Sequence, residues 1–215
     1  MNAAEYDAWY DSDRGRWVGE VEYSLIVKRL TTQAGDRLLD VGCGTGWFTR
    51  RLSGLPGISI TGVDIDQDAL AFARKRDSVS RYVHADAREL PFQDQQFESV
   101  LSITALSFVD PWESALSEII RVCSKHFVIG LLNLHSMLWC NKGQHGGIGA
   151  YRGAYWHTAK ELRAAMARHP VHNIRIDSAI FFPSGSRFAR LAENVIPSSI
   201  PLGSFLLISG ARLTR

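Results

Sequence analysis

Val18, Val21, Leu25, Ile26 and Leu30 recur at the three- to four-residue spacing that lines up one side of a helix, as far as a Gly35-Asp36 turn. Residues 37–41 (Arg-Leu-Leu-Asp-Val) then form a short apolar run that closes into Gly42-Cys43-Gly44-Thr45-Gly46. A helix is expected through Trp47, Phe48 and Leu52, stopped near Gly54. Residues 58–64 are β-branched and end in an acid, and Asp66 is placed to cap a helix over 69–73. Residues 81–85 predict a third strand ending at Asp86, and 100–106 a fourth, apolar enough to be buried on both faces. The strongest helix signal follows: Asp110 as N-cap, Pro111 at the first helical position, and Glu113 three residues after the cap. Behind them Trp112, Ala115, Leu116, Ile119 and Ile120 make one apolar stripe. Residues 127–132 predict a fifth strand, 158–169 a helix, and 171–182 and 205–209 two further β-like runs.

Strands alternating with helices predict an α/β fold, a mostly parallel sheet with helices on both faces. In such sheets ligands bind at the carboxyl ends of the strands, where this chain carries its acids and glycines. No linker rich in Pro, Gly or Ser divides the chain, so one domain over 1–215 is expected. Within it we distinguish an N-terminal helical segment (1–36), a core (37–132), an insert (133–157) and a C-terminal helix with strands (158–215).

Composition narrows the class. With 46% hydrophobic and 21% charged residues the chain is globular rather than disordered. Its 24 basic and 22 acidic residues are interleaved, and a net charge of +2 predicts neither a nucleic-acid groove nor an anionic membrane surface. No stretch approaches the roughly 18 apolar residues of a spanning helix. The N-terminus lacks a basic region followed by an apolar core, so no secretory signal is expected. Cys43, Cys123 and Cys140 are too few and scattered for a disulfide framework, which suits a reducing, cytoplasmic setting.

Gly42, Gly44 and Gly46 between a strand and a helix suit either a ligand pressed against bare backbone or a tight turn alone. The sixth position of a dinucleotide fingerprint is Trp47, and no Lys follows Gly46 as a P-loop requires. Asp40 beside the loop repels a pyrophosphate and suits a ligand carrying ammonium or sulfonium charge. Asp64, about twenty residues on, can accept both hydroxyls of a ribose, and Asp86 an adenine amino group. Each acid alone could equally cap the next helix. Three at successive strand ends, the first at the glycine loop, exceed what capping explains.

The run Leu38-Leu39-Asp40-Val41-Gly42-Cys43-Gly44-Thr45-Gly46 is joined by Gly62-Val63-Asp64-Ile65-Asp66 and Ala85-Asp86-Ala87-Arg88-Glu89-Leu90-Pro91-Phe92. Phe97-Glu98-Ser99-Val100 and Ala115-Leu116-Ser117-Glu118-Ile119-Ile120-Arg121-Val122 complete the blocks. In these the chain resembles the class I S-adenosylmethionine-dependent methyltransferases, small-molecule branch, similar to those of ubiquinone and menaquinone biosynthesis. The resemblance spans about 37–132 and implies a Rossmann-like seven-stranded, mostly parallel sheet with a final antiparallel strand. It implies S-adenosylmethionine as cofactor, S-adenosylhomocysteine as product, and roles for particular residues. Asp40 and Gly42 would lie near the methionyl amine, with Cys43, Gly44 and Gly46 under the cofactor. Asp64 would meet the ribose and Asp86 and the backbone of Ala87 the adenine, with Ile65 also among the cofactor-binding residues. Thr104 and Leu106 would line the pocket, and Tyr6, Tyr10 and Arg16 would close it from an N-terminal lid. Glu98 stands where relatives carry Asp, and Cys123-Ser124-Lys125-His126 replaces their Pro-Gly-Gly turn.

Methyl transfer needs in-line alignment and exclusion of water, and a base only where the nucleophile holds a high-pKa proton. The aromatic N-terminal segment (Tyr6, Trp9, Tyr10, Arg16, Trp17) reads as a lid or as a helix packed on the sheet. The Gly-rich insert carries His135, Trp139, His145, Tyr151, Tyr155, Trp156 and His157. Of these His135, His145 and His157, with Tyr10, are the candidate bases, each histidine also readable as a surface or core residue. The three histidines lack a recognised ligand spacing, so no metal is expected. The expectation is methyl transfer to a small, flat or apolar acceptor bearing a ring hydroxyl or carbon, by a monomer or homodimer, without nucleic acid or membrane. The alternatives are an RNA or protein methyltransferase and a non-catalytic cofactor-binding module.

Overall fold

The computed structural model describes residues 2–213; Met1, Thr214 and Arg215 of the expected 1–215 unit lie outside the described residues. Seven strands form one sheet in the order β3-β2-β1-β4-β5-β7-β6. These are β1 (Arg37–Val41), β2 (Ser59–Asp64), β3 (Arg81–His84), β4 (Phe97–Ile103), β5 (Cys123–Leu132), β6 (Val171–Ala179) and β7 (Phe205–Arg212). The first five are parallel, and β7 runs antiparallel to both β5 and β6. This is the expected mostly parallel α/β sheet with an antiparallel final strand.

Period-2 alternation splits the strand residues between two cores. Leu39, Val41, Val100, Ile129, Leu206 and Ile208 face one cluster, completed by α5 (Trp112–Val122) and α6 (Ala159–Met166). Leu38, Leu101, Val128 and Leu207 face the other, with α2 (Asp13–Arg29) and α3 (Trp47–Leu52). On α5 the expected stripe of Trp112, Ala115, Leu116, Ile119 and Ile120 is buried. Its cap lies one residue later than expected, at Pro111, whose carbonyl accepts from the Ser114 N–H. Asp110 stays in the preceding loop, where its carbonyl accepts from Arg88.

Other boundaries move for local reasons. Thr104 takes a left-handed backbone (φ 59°), which ends β4 at Ile103 and turns the chain into a 3-10 turn over Ala105–Phe108. Cys123-Ser124-Lys125-His126 extends β5 rather than making a turn. Glu98 accepts from the Arg37 backbone N–H and guanidinium, clamping the start of β1, and that arginine holds its carboxyl down at about 2. Asp66 caps α4 (Gln67–Arg76) by accepting from Asp68 and Ala69. A helix not foreseen, α7 (Arg187–Val195), is capped by Ser186 and lies between β6 and β7. The insert is not a plain loop: short π and 3-10 turns run over Trp139–Gly143, Gln144–Gly146 and Gly149–Tyr151.

The N-terminal segment is two helices. The first, α1 (Ala3–Trp9), starts with a capping box between Asn2 and Glu5. Buried Asp7 latches it down, accepting from Arg50 of α3 at 2.7 Å and pairing with Arg76 of α4 at 3.5 Å. Asp7→Ala is expected to free α1 and weaken ligand binding in the cavity below it about tenfold, roughly 1.4 kcal/mol. Calorimetric titration of the variant would show this, and unchanged affinity would mean the latch has no bearing on the site.

Candidate functional site

At the carboxyl ends of β1, β2 and β4 lies a cavity of about 430 Å3. That is within the roughly 300–1,000 Å3 range of small-molecule pockets. Of the residues singled out from sequence, Asp40, Gly42, Cys43, Gly44, Asp64, Ile65, Asp86, Ala87, Thr104, Tyr6 and Tyr10 line it. Two of the three glycines behave differently. Gly44 has φ +53°, and a Cβ added there would meet nothing within 4 Å, so its backbone lies bare at the cavity wall. Gly46 (φ +76°) is buried as the N-cap of α3, where a Cβ would come 2.6 Å from the Tyr82 hydroxyl. Its role is helix-to-strand packing, and the expectation that it lies under a ligand is corrected.

Asp40 is 2% exposed, and its carboxylate accepts from the Thr49 hydroxyl at 2.6 Å. Burial pushes its carboxyl up to about 7; the Thr49 bond opposes that rise and the neighbouring Asp64 charge adds to it. Asp64 accepts from the Gly44 N–H on one oxygen (2.7 Å) and the Asp66 N–H on the other (2.8 Å). A carboxylate has about four lone-pair sites, so both oxygens keep capacity for a ligand. Beside it Ile65 is 62% exposed, an apolar side chain at the cavity edge, with its carbonyl 3.0 Å from the His84 ring. Asp86 already accepts from the Arg88 backbone N–H and guanidinium, and that arginine lowers its carboxyl. Thr45, Trp47, Phe48, Ala105 and Phe108, not picked out from sequence as ligand-lining, also line the cavity.

A second cavity of about 270 Å3 adjoins the first, sharing Tyr6, Tyr10, Thr104 and Phe108 as their common wall. Its other walls come from α2 (Arg14, Val18, Glu22), the insert (Leu138, Ala150, Tyr151) and the β6–β7 end (Ile180, Phe205). Tyr10 is held rigidly here, stacked on Trp47 at 4.2 Å between ring centres.

Residues 39–128 match the family model described as a methyltransferase domain. Over 99 residues the chain is 32% identical to a malonyl-[acyl-carrier protein] O-methyltransferase of Buchnera aphidicola, covering 46% of this chain and 40% of that protein. It is 34% identical over 175 residues to an uncharacterized protein of Mycobacterium tuberculosis, covering 77% of this chain and 57% of that one. The chain thus spans about 40% to 57% of the length of these curated relatives. Its fold is similar to a Thermotoga maritima S-adenosylmethionine-dependent methyltransferase, a possible histamine N-methyltransferase, with TM-score 0.78 and 25% identity over 98% of this chain and 96% of that one. Residues 39–128 are thus a methyltransferase domain, and the chain as a whole resembles the S-adenosylmethionine-dependent methyltransferases.

The cofactor of this family fits the donor set of the larger cavity. A buried carboxylate suits an ammonium, a strand-end carboxylate with free lone pairs suits a diol, and an exposed isoleucine suits a ring face. Besides Gly46, two residues proposed from the sequence as cofactor-binding lie elsewhere. Arg16 is exposed, donating to the Asp11 carbonyl at 3.1 Å. Leu106 is fully buried in the core beneath the 3-10 turn. Of the candidate bases, Tyr10 lines both cavities and the three histidines do not. His135 and His145 are exposed, and His157 is 1% exposed against Trp112, ring centres 4.8 Å apart. Burial lowers the His157 pKa, which makes it a neutral core histidine. Among the described residues no helix is long and apolar enough to cross a membrane.

Proposed function

We propose that the protein transfers the methyl group of S-adenosylmethionine to a small-molecule acceptor seated in the smaller cavity. The observation that carries this reading is the pairing of two cavities through one wall of Tyr6, Tyr10, Thr104 and Phe108. S-adenosylmethionine supplies a methyl carbon already activated by a cationic sulfur, so the protein's work is alignment and exclusion of water. Asp40 would face the methionyl ammonium, and Gly42, Cys43 and Gly44 would lie along the backbone contact. Asp64 would accept the ribose hydroxyls, with Ile65, Asp86 and Ala87 around the adenine. Tyr6 and Tyr10 would close the site, on the wall common to the cofactor and acceptor spaces. The acceptor space is walled mainly by rings and aliphatic side chains, with Arg14 and Glu22 among them, and its small volume favours a small molecule over a polymer.

Thermal unfolding with separate ligands tests the reading. S-adenosylmethionine and S-adenosylhomocysteine at about a hundred times their dissociation constants add roughly 2.7 kcal/mol, a rise on the order of 5–10 °C for this size. NAD and ATP are expected to give none. A larger rise with NAD than with the two sulfur compounds would overturn it.

A further inference from the structure

One charged group in the acceptor space has no role in the cofactor site. Glu22 sits two turns along α2 from Arg14, with Val18 between them, and all three line the smaller cavity. Among the described residues the Glu22 carboxylate has no hydrogen-bond or ion-pair partner. The other ionisable groups of the chamber are Tyr6, Tyr10, Tyr151 and Arg14. The first three are close enough to Glu22 for its charge to raise their pKa values. Arg14 is exposed and donates its Nε–H to the Pro183 carbonyl at 2.7 Å, at the rim. The rest of the wall includes the rings of Trp9, Phe108 and Phe205.

A partly buried carboxylate among aromatic rings, with no protein partner, is costly unless a cation meets it, and ring faces themselves attract cations. A neutral acceptor leaves the carboxyl either protonated or charged and unpaired, and an anionic one repels its charged form; only a cation stabilises the carboxylate. We infer that the smaller cavity takes an amine on an apolar or aromatic body, and that Glu22 is the residue that pairs with its ammonium and receives its proton. This rests on the methyltransferase reading above and names the substrate class of that site. It also departs from the ring hydroxyl or carbon expected from sequence.

The step balances. The ammonium gives one N–H proton to the Glu22 carboxylate, leaving a neutral amine with a free lone pair. That pair forms the new N–C bond as the methyl–sulfur bond breaks, its electrons going to sulfur. Sulfur thereby becomes a neutral thioether, and the positive charge passes to the methylated nitrogen. Burial alone pushes the empty-state Glu22 carboxyl up to about 8, so below that pH an arriving ammonium displaces a proton from it.

The test is calorimetric titration of the S-adenosylhomocysteine-saturated protein, which lacks a methyl donor and reads binding alone. The probes are 2-phenylethylamine and tryptamine, with 2-phenylethanol and 3-phenylpropanoate as neutral and anionic counterparts. At pH 7 the amines are expected to bind at least tenfold more tightly than their counterparts. Repeating the titration in buffers of different ionisation enthalpy should show release of nearly one proton per amine at pH 7 and almost none at pH 9.5. Glu22→Gln should remove both the preference and the proton release while leaving S-adenosylhomocysteine affinity unchanged. Equal or tighter binding of the alcohol or the carboxylate, no binding of either amine, or no proton release from the wild type overturns the inference. Failure of S-adenosylhomocysteine itself to bind would instead overturn the cofactor reading. The proton-release measurement uses the unaltered protein, so it stands even where the variant folds poorly.

Discussion

Asp40→Asn is expected to make the ligand-free protein more stable at pH 8 while destroying its response to cofactor. In the folded chain burial pushes the Asp40 carboxyl up to about 7, against about 4 when unfolded. Between those values the folded state holds the extra proton, so stability falls as pH rises from about 4 to 7 and levels off above. A difference of roughly three pKa units corresponds to about 4 kcal/mol at pH 8, an upper value. Asparagine removes that cost and keeps an acceptor for Thr49, but leaves an amide N–H2 to satisfy, at about 1–3 kcal/mol. The net gain of about 1–3 kcal/mol should raise Tm by roughly 3–9 °C at pH 8, with the gain shrinking as pH approaches 4.5. The rise from S-adenosylmethionine should vanish, because no anion remains to meet its ammonium. Calorimetric scans at the two pH values check this. A gain of equal size at both would show that the Asp40 charge is not the cause. Stability given up for a binding group is a common bargain at ligand sites.

Asp64→Ala is the second large effect. The carboxylate holds the Gly44 and Asp66 N–H groups, so alanine should cost about 1–3 kcal/mol in the ligand-free protein through the loosened loop. It also removes the acceptor proposed for the ribose. The stabilisation by S-adenosylhomocysteine, roughly 2.7 kcal/mol at a hundredfold excess over its dissociation constant, should fall below detection. Thermal unfolding with and without the ligand separates the two losses. A variant that is destabilised yet keeps its full ligand-induced rise would confine Asp64 to holding the loop.

Whether a residue's place was legible in the sequence depended on how far its neighbours lie along the chain. Asp40, Gly42, Gly44 and Asp64 belong to strand–turn–helix units, and a strand that ends in a turn puts its last residue at the sheet edge whatever lies elsewhere. The stripe of α5 was legible for the same reason, since helical period alone selects the buried face. Leu106 was misplaced because Thr104 turns left-handed, so that Thr104, Ala105 and Phe108 face the cavity and Leu106 does not. Arg16 was misplaced by helix phase. At about 100° per residue Arg14 and Arg16 project from nearly opposite sides of α2, and it is the Arg14 side that meets the acceptor space. A signal for Glu22 existed: it follows Arg14 and Val18 at intervals of four and continues to Ile26, which is fully buried. A carboxylate on a stripe that ends in the core marks a lined cavity or a buried pair.

The sequence by itself determined the sheet class, the glycine loop and the acids around it, because these follow from backbone preferences acting within a few residues. Only the tertiary structure decided that α2 and the insert wall a second chamber. It also decided that Asp7 latches α1 over α3 and α4, that the histidines stay away from the site, and that Glu22 faces inward without a partner. Those outcomes depend on how α1, α2 and residues 133–157 pack against a sheet whose strands are distant in sequence. No local preference encodes that packing; it is set by which faces bury together once the sheet has formed.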